Sequence, residues 1–462
     1  MAENKTYDEL FVGQSASVDR KVTDNDLWVF ARSSGNFNPV HRPDFDYNHD
    51  GHADTVAPSM WLGALVSAVF GNVLPGPGTL YREQSLMFHG RVQVGDTVTV
   101  SVTVKEKQDD GHVVFDTTIT CNSALICSGE AVVLAPNEKV TFDGGDFPEL
   151  IVGTHVHVDA LIDKCEGLPP MATAIVAPED ENSLGGALLA HEYGLITPLL
   201  VGDPAKIHAV AASLGKSLDG MEIIEAPTHG TAAARSVALV HENRAAAVMK
   251  GYLHTDELLR HVVKRDGGLR AGRRLSHVFI MDVPGRDEPL MVSDAAINIA
   301  PDLSTKVDIT QNAIDVALAI GIEEPRAAVL SAVETVNEKI PSTLEAAALS
   351  KMADRGQIKG GCVDGPLAMD NALSPAAART KKLTGSVAGR ANILIVPNLE
   401  AGNMVAKELA YAAHAESAGL VVGASVPVIL TSRADGDRAR LASCAVAALY
   451  DTWAHPERDA TS

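Results

Sequence analysis

Asp96–Lys107 reads DTVTVSVTVKEK, and its alternation decides the front of the chain. Val98, Val100, Val102 and Val104 fall on one side, with Thr99, Ser101 and Thr103 on the other. A period of two with one apolar side is the pattern of a half-buried antiparallel strand. Working outward, DDG at Asp109–Gly111 is a hairpin turn, HVVFDTTITC (His112–Cys121) a returning strand and ALICSGEAVVLAP (Ala124–Pro136) a third. Upstream, PSMWLGALVSAVFG (Pro58–Gly71) reads as an apolar helix with Pro58 in its first turn, ended by LPGPG at Leu74–Gly78. One buried helix followed by long antiparallel strands predicts a sheet wrapped around a helix, an α+β domain.

Beyond Gly145 the texture changes. Short apolar runs alternate with Ala-rich amphipathic stretches: TAIVAP, TPLLVG, AAVMKG, HVFIMDV, AAVLSAV, ANILIVP and VPVILTS. Continuous apolar strands separated by helices imply an α/β region whose parallel sheet is covered on both faces. Polar and Gly residues stand at the carboxyl ends of these runs, where open α/β sheets hold ligands. Between the two textures, PNEKVTFDGGDFPE (Pro136–Glu149) is charged and carries Gly and Pro, as linkers do.

A chain of 462 residues is too long for one core and implies two or three domains. With 46% hydrophobic and 21% charged residues it has an ordinary globular balance. Its 38 Lys and Arg against 59 Asp and Glu give a net charge of −21, which argues against nucleic acid or an anionic membrane as partner. Local basic residues can still hold a small anion. The five cysteines, Cys121, Cys127, Cys165, Cys362 and Cys444, show no CxxC spacing, so no metal site is expected and reduced thiols are. MAENKTYDEL lacks the apolar core of a signal peptide, and no stretch is long and charge-free enough to span a bilayer. The expectation is a cytoplasmic protein.

SSGNFNPVH (Ser33–His41) is the first stretch that carries chemistry. Together with Phe30–Arg32 before it and VAPSMWLGALVSAVFG after it, it resembles the MaoC-like hydratases of the hot-dog fold, over roughly the first third of the chain. That family hydrates enoyl-CoA, and its loop usually reads S-G-D-x-N-P-x-H, with a His-Gly at the start of the central helix. Hydration needs an acid–base pair, supplied by Asp and His, and an N–H donor that polarises the thioester carbonyl. His41 matches the His, but the Asp position holds Asn36, whose amide cannot accept a proton. Pro58-Ser59 replaces His-Gly, so the β-carbon of Ser59 stands where a glycine admits the thioester. These departures favour a degenerate, non-catalytic acyl-CoA-binding or assembly module. A surviving weak hydratase is the alternative.

The remaining two-thirds resembles the phosphate acetyl/butyryltransferases. Seven stretches match in order: MKGYLHTDEL, LSHVFIMDVP, VSDAAINIAPDL, LSAVETVNEKIPST, VDGPLAMDNAL, VPNLEAGNMVAKEL and ILTSRADGDRARLASCAVA. The two resemblances together imply residues 1–137 as hot-dog domain, 138–155 as linker and 156–462 as transferase domain. The latter is expected to have two lobes with mostly parallel sheets and a cleft between them. The family moves an acyl group between CoA sulfur and inorganic phosphate. Such a site needs a cation for phosphate and oxyanion, hydrogen-bond donors, and a base for the CoA thiol. TSRAD, at the end of an apolar run, offers Ser432 as donor, Arg433 as fork-shaped cation and Asp435 as base, with Asp437 the competing carboxylate.

Each residue also has a structural reading. Arg433 fits a surface ion pair with Asp435 or Asp437, and Ser432 fits a helix cap. Lys250 suits phosphate or solvent, and His254 a ligand or a helix start. Asp294, Asn298, Gly402 and Asn403 fit either ligand orientation or turns, and Ser276 a cleft or a strand edge. Ser183 stands where the family often carries Arg, and Tyr252 where it often carries Ser. Cys362 and Cys444 are expected to pack only, since direct transfer needs no enzyme thiol. The substrates implied are an acyl-CoA and phosphate, with no cofactor, in a homo-oligomer larger than a dimer. The rivals are a bifunctional hydratase/transferase and a catalytically silent CoA-ester binding protein.

Overall fold

All four valines of the opening stretch are buried, and the threonines and serine between them are half-buried on the opposite face. That packing comes from a computed structural model, which describes residues 2–42, 55–142, 155–431 and 435–456. Ser432 and Arg433 lie outside the described residues, as does most of the expected linker. The chain divides into two compact units, Met1–Val152 and Gly153–Ser462.

The strands of the first unit are β1 (Ala2–Glu3), β2 (Ser15–Lys21), β3 (Leu80–Gln84), β4 (Met87–Phe88), β5 (Thr97–Lys107), β6 (His112–Cys121), β7 (Ala124–Leu134) and β8 (Thr141–Phe142). The main sheet runs β2-β5-β6-β7-β3, with β4 also on β7, and every pairing is antiparallel. The β5–β6 turn closes where expected, with Gly111 at φ 88°, a left-handed conformation that glycine adopts without steric cost. Helix Ser59–Asn72 follows Pro58 and turns Trp61, Leu62, Val66, Val69 and Phe70 into the core. Phe70 meets Phe115 and Tyr81 edge-on, with ring centroids 4.9 and 5.3 Å away. A fully buried aromatic such as Phe70 adds a large apolar area to a small core. The sheet therefore wraps the helix, as the alternation predicts. β8, within the stretch expected as linker, pairs with β1, and the Asn4 side chain accepts from Val140 N at 3.0 Å.

The second unit holds β9 (Met171–Val176), β10 (Ile196–Gly202), β11 (Glu222–Glu225), β12 (Ala247–Lys250), β13 (Ser276–Asp282), β14 (Leu290–Ser293), β15 (Arg326–Leu330), β16 (Cys362–Leu367), β17 (Ile393–Ile395), β18 (Glu416–Val422) and β19 (Val428–Ile429). They form one sheet in the order β11-β10-β9-β12-β19-β18-β13-β14-β17-β15-β16. The flanks are parallel, but β19/β18, β18/β13 and β13/β14 are antiparallel. The sheet is thus mixed: seven of its ten pairings are parallel, in keeping with the mostly parallel sheet expected, and the centre is antiparallel. Loop length is the reason. A parallel neighbour needs a crossover of a dozen or more residues, and the chain returns from Asp282 to Leu290, and from Val422 to Val428, with fewer. Helix Asp437–Ala454 buries an unbroken run from Arg440 to Ala448. Among the described residues no helix is long and apolar enough to cross a membrane.

Candidate active site

In the first unit, helix Asp24–Ser34 ends at Gly35, φ 71°, and the chain turns into the Asn36–His41 loop. Asn36 is exposed, and its Oδ1 accepts from Asn38 N at 3.3 Å. The amide that replaces the family's carboxylate therefore braces a turn. Val56 N donates to Val40 O at 3.0 Å, which lays this loop beside the approach to the helix at Ser59. His41 Nδ1 lies 2.7 Å from Val56 O. A carbonyl only accepts, so Nδ1 carries the proton and the neutral ring keeps its lone pair on Nε2. Ser59 is exposed in the first turn of the helix.

In the second unit, β9, β12 and β19 are parallel neighbours, so their carboxyl ends share one edge of the sheet. Lys250 ends β12 and is 2% exposed, which rules out the solvent-facing reading. Its Nζ donates to Gly251 O at 3.4 Å. A β-carbon at Gly251 would lie 2.5 Å from Ala177 O, so the close approach of β12 to the end of β9 requires glycine. After β9, Asp180 caps helix Glu181–Glu192 by accepting from Ser183 N at 3.1 Å. After β19, Asp435 is half-buried, and exposed Asp437 opens the last helix.

Arg440 joins these ends, and sequence reasoning missed it. It is 1% exposed, and its Nη1 donates to Lys250 O at 3.5 Å. Burial pushes its guanidinium below the ordinary value, while Asp180, Asp435 and Asp437 pull it back. Gly186 makes the room: a β-carbon there would lie 2.5 Å from Arg440 Cδ. The two glycines of SLGGAL were the available signal, since a Gly pair inside a helix marks a close neighbour. The cation beside Asp180 is thus Arg440, with Ser183 serving the cap.

A second group gathers where β13 begins and β14 ends. Asp294, 2% exposed, accepts at Oδ1 from the backbone N–H of His277, Ala296 and Ile297, at 3.3, 3.0 and 3.1 Å. Its Oδ2 accepts from Asn298 N at 2.9 Å and Asn298 Nδ2 at 2.6 Å. Asn298 Nδ2 also donates to Leu275 O at 2.9 Å. Five donors consume the Asp294 carboxylate, so its role is to build the loop. Ser276 is fully buried, with Oγ accepting from Asn312 Nδ2 at 2.9 Å. Gly402 lets helix Leu399–Tyr411 close on this loop, since its β-carbon would lie 2.8 Å from Asp294 O; Asn403 Nδ2 donates to Ala295 O at 3.4 Å. These five residues stand together where β13 begins and β14 ends. His254 is the exposed N-cap residue of helix Thr255–Val262 and bonds no backbone N–H as a cap.

His277, also missed, links this group to β19. Its ring is fully buried against Phe279, with ring centroids 4.3 Å apart, and Nε2 lies 3.3 Å from Leu430 O. Between them runs β18, passed at Gly419, where a β-carbon would lie 2.9 Å from His277 Nε2 and 2.6 Å from Leu430 O.

Residues 228–448 match the family model described as Phosphate acetyl/butaryl transferase, and residues 12–122 match the MaoC like domain. A phosphate acetyltransferase of Rhizobium meliloti is 59% identical over 292 residues, spanning 63% of this chain and 92% of that protein. A phosphate butyryltransferase of Clostridium acetobutylicum is 45% identical over 276 residues, 60% of this chain and 92% of that protein. Among solved structures, a branched-chain phosphotransacylase from Enterococcus faecalis aligns over 61% of this chain and 99% of its own, with 29% identity and a TM-score of 0.53.

The thiols divide by exposure. Cys121, Cys127, Cys165 and Cys444 are buried and Cys362 is exposed. Burial pushes Cys444 up to about 12 and Cys165 up to about 11, so neither forms a thiolate at neutral pH. Titration of the native protein with a chromogenic disulfide should therefore find a single rapid thiol, abolished by Cys362→Ser. Rapid reaction of a second thiol in that variant would refute the assignment.

Proposed function

The chain belongs to the phosphate acetyl/butyryl transferase family, and from that premise we propose that it moves a short acyl group, acetyl or butyryl, between CoA and inorganic phosphate. The observation that carries this reading is identity sustained over 92% of an acetyltransferase and 92% of a butyryltransferase. The chemistry is placed in a cleft between two lobes of the transferase domain. A phosphate oxygen attacks the acyl carbon, the C–S bond breaks, and the CoA thiolate leaves with the electron pair. In reverse, a base takes the thiol proton. Asp435 is the better base of the two, being half-buried where Asp437 is exposed. Arg433 supplies the forked cation and Ser432 a donor. Lys250, buried at the strand end, is read as a cation for phosphate. Arg433→Ala should lower acyl phosphate formation by roughly 10²–10³-fold, and Arg433→Lys should stay poor because an ammonium lacks the fork. Wild-type turnover in a folded Arg433→Ala protein would remove this residue from the mechanism.

The first unit is read as a degenerate enoyl-CoA hydratase-like domain. The observation behind this is Asn36, whose amide is spent on a turn. The bifunctional reading draws on His41, whose Nδ1 bond to Val56 O sets Nε2 as a base. Crotonyl-CoA hydration separates them. The wild type should show little, and Asn36→Asp should gain up to about 10²–10⁴-fold, the usual worth of an acid–base group. Robust wild-type hydration lost in His41→Ala would establish the bifunctional enzyme.

The protein is further read as a cytoplasmic homo-oligomer larger than a dimer. Each unit carries its own exposed apolar residues: Leu80 and Met87 near the β3 edge, 62% and 64% exposed, and Met404 and Tyr411 on one helix, 69% and 75% exposed. Two self-complementary surfaces on one chain favour a closed assembly beyond the dimer. Deleting residues up to Pro136 should shrink the particle in light scattering while transfer persists. A monomeric full-length chain would defeat the proposal.

A further inference from the structure

We propose that His277 is a positioning residue of the transfer site: it ties the end of β19 to β13 across the gap at Gly419. The inference rests on the transferase reading above. β19 is only two residues long, and immediately beyond it the chain enters Leu430-Thr431 and the Ser-Arg-Ala-Asp stretch. A strand this short fixes its own end poorly, so the direction in which the chain leaves depends on what holds Leu430. His277 Nε2 donates to Leu430 O at 3.3 Å.

His277 is held through its backbone as well as its ring. Its backbone N–H donates to Asp294 Oδ1 at 3.3 Å, and its carbonyl accepts from Ser293 Oγ at 2.9 Å. Phe279 packs against the ring, and no side chain at Gly419 stands between it and Leu430 O. Among the described residues, buried Nδ1 has no hydrogen-bond partner. A proton there would be costly, so the ring is held as the neutral Nε2–H tautomer. Among the described residues the charged groups facing the ring are Asp294 and Asp435, and burial outweighs both, pushing the imidazole below its ordinary range. A packing histidine needs no such arrangement; this one spans a strand to reach a single backbone carbonyl. The Asp294 loop and its Gly402 contact then act as the anchor of the tie.

The test compares His277→Leu and His277→Gln with wild type, using acetyl-CoA or butyryl-CoA and phosphate. Leu keeps apolar bulk without a donor, whereas Gln keeps an N–H that reaches Leu430 O. His277→Leu should lose on the order of 10–10²-fold in kcat, the cost of a small misplacement of reacting groups, with KM for the acyl-CoA little changed. His277→Gln should recover most of kcat. Independently of folding in the variants, imidazole ¹⁵N shifts of the wild type should report Nε2–H. Wild-type kcat in His277→Leu, a Gln variant as slow as Leu at equal thermal stability, or an Nδ1–H tautomer would each overturn the tie. An inactive wild type would instead overturn the transferase reading, and the tie with it.

Discussion

The second unit depends on the place of a two-residue strand. β19 is parallel to β12 on one side and antiparallel to β18 on the other, so it is the seam between the parallel flank and the antiparallel centre. Everything at the strand ends follows from that seam. It brings the end of β12, with buried Lys250, beside the chain that leaves β19, and it puts Leu430 within reach of His277 on β13.

Close approach at this seam is achieved by omitting side chains. Gly251 admits the carbonyls after β9, Gly186 admits Arg440, and Gly419 admits the His277 ring. Each gap is filled by a polar or charged group that makes at least one hydrogen bond, which lowers the cost of burying it. In the first unit the same sheet-and-helix economy is apolar, built on valines that meet Trp61, Leu62 and Phe70. Its loop instead spends Asn36 on backbone geometry, and keeps His41 in one tautomer through Val56.

Much of this was legible in the residues, for identifiable reasons. The Val98–Val104 alternation fixes register because a shift of one residue would turn four valines outward. Apolar runs reveal strands, but not their direction; direction lay in loop lengths, and HVFIMDV therefore reads as parallel although β13 is antiparallel to both neighbours. β18 escaped because a strand interrupted by Gly419 gives no periodic signal. Asp294 looks the same in sequence whether it holds a ligand or a loop, and only its five donors decide. Arg440 and His277 sit in helical and apolar runs where charge and imidazole read as surface or core. Their signal lay elsewhere, in the glycines that face them.

The central claim is direct transfer of an acyl group to phosphate, and product stoichiometry tests it most directly. Purified protein supplied with acetyl-CoA or butyryl-CoA should release one CoA thiol for each acyl phosphate formed, and release should stop when phosphate is withheld. CoA release that continues without phosphate, or exceeds acyl phosphate, would mean hydrolysis. No release with either acyl-CoA would leave a CoA-ester binding protein in place of the enzyme.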